Sequence, residues 1–61
     1  MSKYLLVWHH VLASSLYGSF TDLITADADD LEEEIEDSKD RIRRGINEFN
    51  PVLVLHQILK L

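Results

Sequence analysis

Hydrophobic positions along the chain change period twice, and each change marks an element. Residues 3 to 12, KYLLVWHHVL, are aromatic and branched-aliphatic, too short and too evenly apolar for an amphipathic helix. As a strand they place Tyr4, Leu6, Trp8, His10 and Leu12 on one face and Leu5, Val7, His9 and Val11 on the other, because successive side chains alternate. Both faces are largely apolar, which predicts a central strand. The small, polar run ASSLYGS, residues 13 to 19, predicts a hairpin connection longer than two residues. SFTDLIT, residues 19 to 25, then alternates Phe20, Asp22 and Ile24 against Ser19, Thr21, Leu23 and Thr25. Its polar content suits an edge strand, where Asp22 discourages pairing with other chains.

From Ala28 the period lengthens. Leu31, Ile35, Ile42, Ile46 and Phe49 recur at spacings of four, seven, four and three, with Ser38 in the turn that lacks an apolar residue. This is one stripe of an amphipathic helix about five turns long. Asp27 or Thr25 is the expected N-cap, Gly45 weakens the last turn, and Pro51 ends the helix. PVLVLHQILKL, residues 51 to 61, returns to strand character, with Val52, Val54, His56, Ile58 and Lys60 on one face and Leu53, Leu55, Gln57, Leu59 and Leu61 on the other. The order strand, strand, helix, strand predicts an α+β fold of ββαβ type. Its three-stranded, mainly antiparallel sheet has order 2-1-3, with one amphipathic helix packed on one face and residues 1–61 forming a single domain. Which sheet face meets the helix stays open. One helix covers one face only, so the second apolar face calls for another copy or a target protein.

Size reinforces that expectation. A chain of 61 residues buries only about 60% of its unfolded surface. With no cysteine to form disulfides or a thiolate zinc site, oligomerisation, most simply a homodimer, or very efficient packing is left to stabilise it. The 46% hydrophobic and 28% charged content, with two glycines and one proline, argues against disorder.

Charge narrows the partners. A net charge of −5 disfavours direct binding to a nucleic-acid backbone, and no run approaches the ~18 apolar residues of a membrane span. The N-terminal MSKYLLVWHHVLASS faintly imitates a signal peptide, but His9 and His10 interrupt its apolar run. A cytoplasmic protein is expected.

Candidate chemistry is sparse. His9 and His10 are adjacent on a strand, so they point to opposite faces and do not chelate one ion together. One of them can lie opposite His56, which makes a two-nitrogen half-site lacking the further ligands of a metal centre. DADDLEEEIEDS, residues 27 to 38, matches a calcium loop only in its acids: Glu32 stands where a glycine is needed and Ser38 where a bidentate glutamate is needed. Ser14, Ser15, Ser19 and Ser38 lie in no nucleophile-elbow pattern. No enzyme activity, metal or cofactor is expected.

The charge-split helix is the strongest feature. Eight acids between Asp27 and Asp37 precede Lys39, Arg41, Arg43 and Arg44. That order complements the helix macrodipole, and Asp37 with Arg41 and Asp40 with Arg44 are favourable i, i+4 pairs. About three acids suffice for the dipole; the surplus leaves neighbours such as Glu33 and Asp37 repelling each other. Asp29, Asp30, Glu32, Glu33, Glu36 and Asp37 are therefore the candidate partner-binding residues, docking on a basic surface of a host protein with long-range steering. The alternative is an oligomeric binder that sequesters a signalling nucleotide at subunit junctions, with Arg41, Arg43 and Arg44, beside Lys39, contacting phosphate and Trp8 and Tyr17 stacking on the base.

The layout KYLLVW, then GSFTDLIT, an acidic helix and a closing NPVLVLHQILKL resembles short strand-strand-helix-strand accessory proteins of bacteriophages and mobile elements. The likeness covers nearly the whole chain and rests on layout and apolar pattern. It transfers no site residues. What it implies is context: a small phage protein that binds and blocks a host defence or regulatory component.

Overall fold

A computed structural model describes the backbone of residues 1–12, 15–46 and 51–61, and the side chains of these except 12–17. Strand β1 spans Ser2–Leu12, β2 Ser15–Ala26 and β3 Val52–Lys60, and helix α1 spans Leu31–Gly45. The sheet has three strands in the order β2-β1-β3, and β1 pairs antiparallel with both neighbours. The α+β fold and strand order expected from the sequence are those observed. The most apolar segment takes the middle, hydrogen-bonded on both edges and packed against the helix on one face.

The helix lies on the Tyr4, Leu6, Trp8, His10 face. Leu6, Trp8, Ile24 and Leu53 form the buried cluster, with Tyr4, Leu31, Ile35, Ile42, Ile46 and Leu55 packed against it. Ser38 is fully buried in the middle of the helical stripe. There its Oγ accepts a 3.0 Å hydrogen bond from the indole Nε1–H of Trp8. The polar residue that interrupts the apolar stripe thus meets the chain's one indole donor, and both buried groups are satisfied.

Three expectations need correction. The second strand begins at Ser15, not Ser19, so Ser15–Ser19, read from their polarity as loop, belong to the ladder. Gly18 pairs with His10 and Leu16 with Val11, which leaves Tyr17 as an inserted residue. A strand on the sheet edge needs no apolar face to pair through its backbone, and a bulge absorbs the extra residue.

The second correction is the face assignment of β3. The register shifts from Val7 opposite Gln57 to Trp8 opposite Leu55, so His56 is inserted and alternation reverses there. Leu53, Leu55, Ile58 and Lys60 share the helix side; Val52, Val54, Gln57 and Leu59 share the other.

The third concerns the helix ends. The N-cap is Asp30, not Asp27 or Thr25, and no side chain caps the first turn. Asp30 instead donates its N–H to the Asp27 carbonyl, closing a turn before the helix. The helix stops at Gly45, and the Ile46 N–H bonds Arg43 O at 3.2 Å as its backbone extends. A glycine there lowers the cost of leaving the helix. Asn47–Asn50, including Phe49, lie outside the described residues.

Arg41 ties the helix to the edge strand, its guanidinium 2.6 Å from the Asp22 carboxylate. It reaches across to β2 rather than along the helix to Asp37, so Asp22 has a specific mate in addition to its place on an edge strand. Half of the Arg41 side chain is exposed, and exposed pairs contribute about 0.2–1 kcal/mol. Arg41→Ala is therefore expected to lower unfolding stability by less than about 1 kcal/mol in a urea titration. A larger loss would mean the pair holds the helix in place.

Candidate functional site

Two surfaces stand out, on opposite sides of the molecule. The first is the back of α1. Asp29, Asp30, Glu32, Glu33, Glu36 and Asp37 are all exposed. In the helix, residues 32, 33, 36 and 37 lie away from the 31, 35, 38, 42 stripe that packs on the sheet, as a 3.6-residue period requires. Among the described residues none of the six carries an ion pair; the carboxylates that do are Asp22 and Asp27. Glu32, Glu33 and Glu36, with Ile35, line a depression of about 610 Å³. Glu32, Glu33 and Glu34 occupy the first turn and Arg43 and Arg44 the last, so the macrodipole is complemented at both ends.

Among the described residues of the alternative ligand site, Trp8 and Arg41 are already engaged within the fold. Trp8 is 2% exposed and spends its N–H on Ser38, so its ring offers no stacking face to a nucleotide base. Arg41 is engaged by Asp22. Arg43 and Arg44, with Asp40 and Pro51, border a depression of about 330 Å³ that contains an acid as well. The Tyr17 side chain lies outside the described residues.

The second surface is the sheet face turned away from the helix. Leu5, Val7, His9 and Val11 of β1 run along its middle, flanked by Thr21, Leu23 and Thr25 on β2 and by Val52, Val54 and Leu59 on β3. Leu23 is 58% exposed, Val52 55%, Val54 49% and Leu59 39%, whereas Leu6, Trp8, Ile24, Ala26 and Leu53 on the helix side are buried and exposure there rises at the margins, at Phe20 and Ile58. Sequence alternation predicted an apolar second face on the first and last strands. It did not identify which residues form it, because both faces of β3 are apolar and the inserted His56 leaves no compositional trace.

His9 and His56 meet on this open face. Their rings stack with centroids 4.1 Å apart and planes 14° from parallel. The in-plane lone pairs of near-parallel rings run side by side and do not converge on one point, so the stack is a packing contact rather than a chelating pair. Among the described residues no group of three or more His, Cys, Asp or Glu is placed to hold a metal ion. His10 points the other way and is buried, its ring 6.4 Å from that of Phe20.

Among the described residues no helix is long and apolar enough to cross a membrane. In comparisons with known proteins, no family model, no curated protein and no solved structure matches the chain.

Proposed function

We propose that this chain is a small interaction protein of the bacteriophage accessory type, homodimeric, that binds and inhibits a host defence or regulatory protein in the host cytoplasm. The observation that carries the reading is the partition of its surface. The described acids gather on the helix side and at the turn before it, while the opposite sheet face exposes a run of Leu and Val. Contiguous apolar surface rimmed by polar residues marks an interaction site, and a one-sided acidic field steers a basic partner toward the helix. The host partner docks on Asp29, Asp30, Glu32, Glu33, Glu36 and Asp37. The two depressions are open to solvent, one bordered by acids and the other by charges of both signs, which supports binding of a surface over enclosure of a substrate.

Charge reversal tests the helix. Glu32→Lys with Glu33→Lys and Glu36→Lys, all exposed, is expected to leave the circular dichroism of the protein intact. Captured from a bacterial lysate, the basic protein enriched by the wild-type bait should fall by about tenfold or more, equivalent to about 1.4 kcal/mol. It should also elute from the wild type in about 1 M salt, where the screening length is about 3 Å. Equal capture by the charge-reversed bait would sink the acidic-face docking.

A further inference from the structure

The open sheet face has one occupant that its chemistry favours. We infer that it is covered by a second copy of this chain, packed sheet on sheet about a twofold axis; this deepens, and rests on, the reading of the chain as an interaction protein.

Charge is the first argument. A chain of net charge −5 repels its own copies, yet no described acid lies on the open face. Leu5, Val7, His9, Val11, Thr21, Leu23, Thr25, Val52, Val54, Gln57 and Leu59 carry none, and Lys3 is the charged residue, at one end beside Thr25. Two copies meeting there hold their acidic helices on the outside of a four-layer stack. With sheets about 10 Å apart and each helix about 10 Å behind its sheet, the helices are about 30 Å from one another. The screening length at physiological salt is about 8 Å, so their repulsion is largely quenched.

Area and shape supply the second. Three strands spaced by about 4.8 Å, each paired over about nine residues rising about 3.3 Å, present about 400 Å² of projected surface. Corrugated by side chains and counted on both copies, that approaches the roughly 1,000 Å² at which specific interfaces begin. A contact at this lower limit belongs to the weak, reversible class; area alone does not set its affinity, and a dissociation constant in the micromolar range is expected. Two identical sheets also share one twist, and faces of equal twist pack aligned at about −30°. The His9–His56 stack lies within the covered area and buries flat ring surface.

Sedimentation equilibrium from about 5 μM to about 500 μM brackets that range. The wild type should shift from its 7.1 kDa chain mass to twice that value. Val54→Glu should raise the dissociation constant by about 100-fold or more, because a buried unpaired carboxylate is disfavoured on both copies. Leu23→Thr, milder and on the edge strand, should raise it about tenfold. Near-ultraviolet circular dichroism of Trp8, on the other side of the sheet, verifies that each variant is folded. The charge-reversed helix variant should dimerise as the wild type does. A wild type that stays monomeric across the range overturns the dimer, and lysate capture that persists with it leaves the acidic-face reading standing. A dimer that survives Val54→Glu but is lost on charge reversal also overturns it, placing the contact between helices, acidic half against basic half.

Discussion

Leu6→Ala is expected to remove most of the protein's stability. Leu6 is fully buried at the centre of the helix-side cluster, on the middle strand, with Ile24, Trp8 and Leu53 around it. Truncating a buried leucine costs about 2–5 kcal/mol, through lost transfer energy and the cavity left behind. A chain of this length has about 3–9 kcal/mol in total. The variant should therefore show a urea midpoint well below that of the wild type and partial unfolding on modest warming. Val7→Ala, the adjacent residue pointing to the open face, should cost much less in the dilute monomer. The contrast between neighbours on one strand tests the face assignment: similar losses would mean that both faces are equally packed within one chain.

Ser38→Ala carries the second large effect for the smallest change of shape. Removing the hydroxyl strands the buried indole N–H of Trp8, which now donates to it across 3.0 Å, and an unsatisfied buried donor costs about 1–3 kcal/mol. Alanine is a better helix former than serine by a few tenths of a kcal/mol, so the sign of the outcome separates the two effects. Destabilisation is expected. Trp8→Phe with Ser38→Ala removes both partners, and the double variant should be less destabilised than the two single changes together, by about 1 kcal/mol. Additive losses would show that the hydrogen bond contributes nothing beyond packing.

Much of this architecture was legible in the sequence. The helix announced itself through Leu31, Ile35, Ile42 and Ile46, and the two-faced apolar character of residues 3 to 12 placed that segment in the middle of the sheet. Ser38 was legible as a gap in the stripe; that the gap sits over Trp8 required the packing. What stayed hidden were the two inserted residues. Around His56, Val52 to Leu61 is apolar on both faces, so a one-residue slip changes no hydrophobic pattern and alternation cannot register it. Around Tyr17, the polar run Ser15 to Ser19 looks like a connection because polarity reports exposure, and an edge strand is exposed without being a loop. The helix cap was misplaced for a similar reason: Asp27, Asp29 and Asp30 are chemically equivalent candidates, and the turn closed by the Asp30 N–H on the Asp27 carbonyl decides among them.

The acidic face was legible as a surplus, since its residues exceed what the helix dipole needs. The open sheet face was legible only as an expectation of some second surface. Its members on β1 and β2, such as Val7 and Leu23, follow from alternation, but the grouping of Val52 and Val54 with Gln57 and Leu59 on β3 depended on the inserted His56. Trp8, read from the sequence as a stacking face on an extended strand, occupies the core once the helix folds over it. With the acids on one side and the apolar run on the other, the proposed self-association and partner capture would not compete for surface. The proposed dimer would present the acidic face twice and gain from avidity on a target that repeats or is itself symmetric.

The central claim for the open sheet face is that two copies of the chain meet there. It is tested most directly by nuclear Overhauser measurements on a mixed sample, half ¹³C-labelled and half unlabelled, at a concentration where sedimentation reports the dimer. Intermolecular contacts are predicted from the methyl groups of Leu5, Val7, Val54 and Leu59, and none from Leu6 or Leu53 on the helix side. Intermolecular contacts confined to helix residues, or a dimer showing none from the open face, would contradict it.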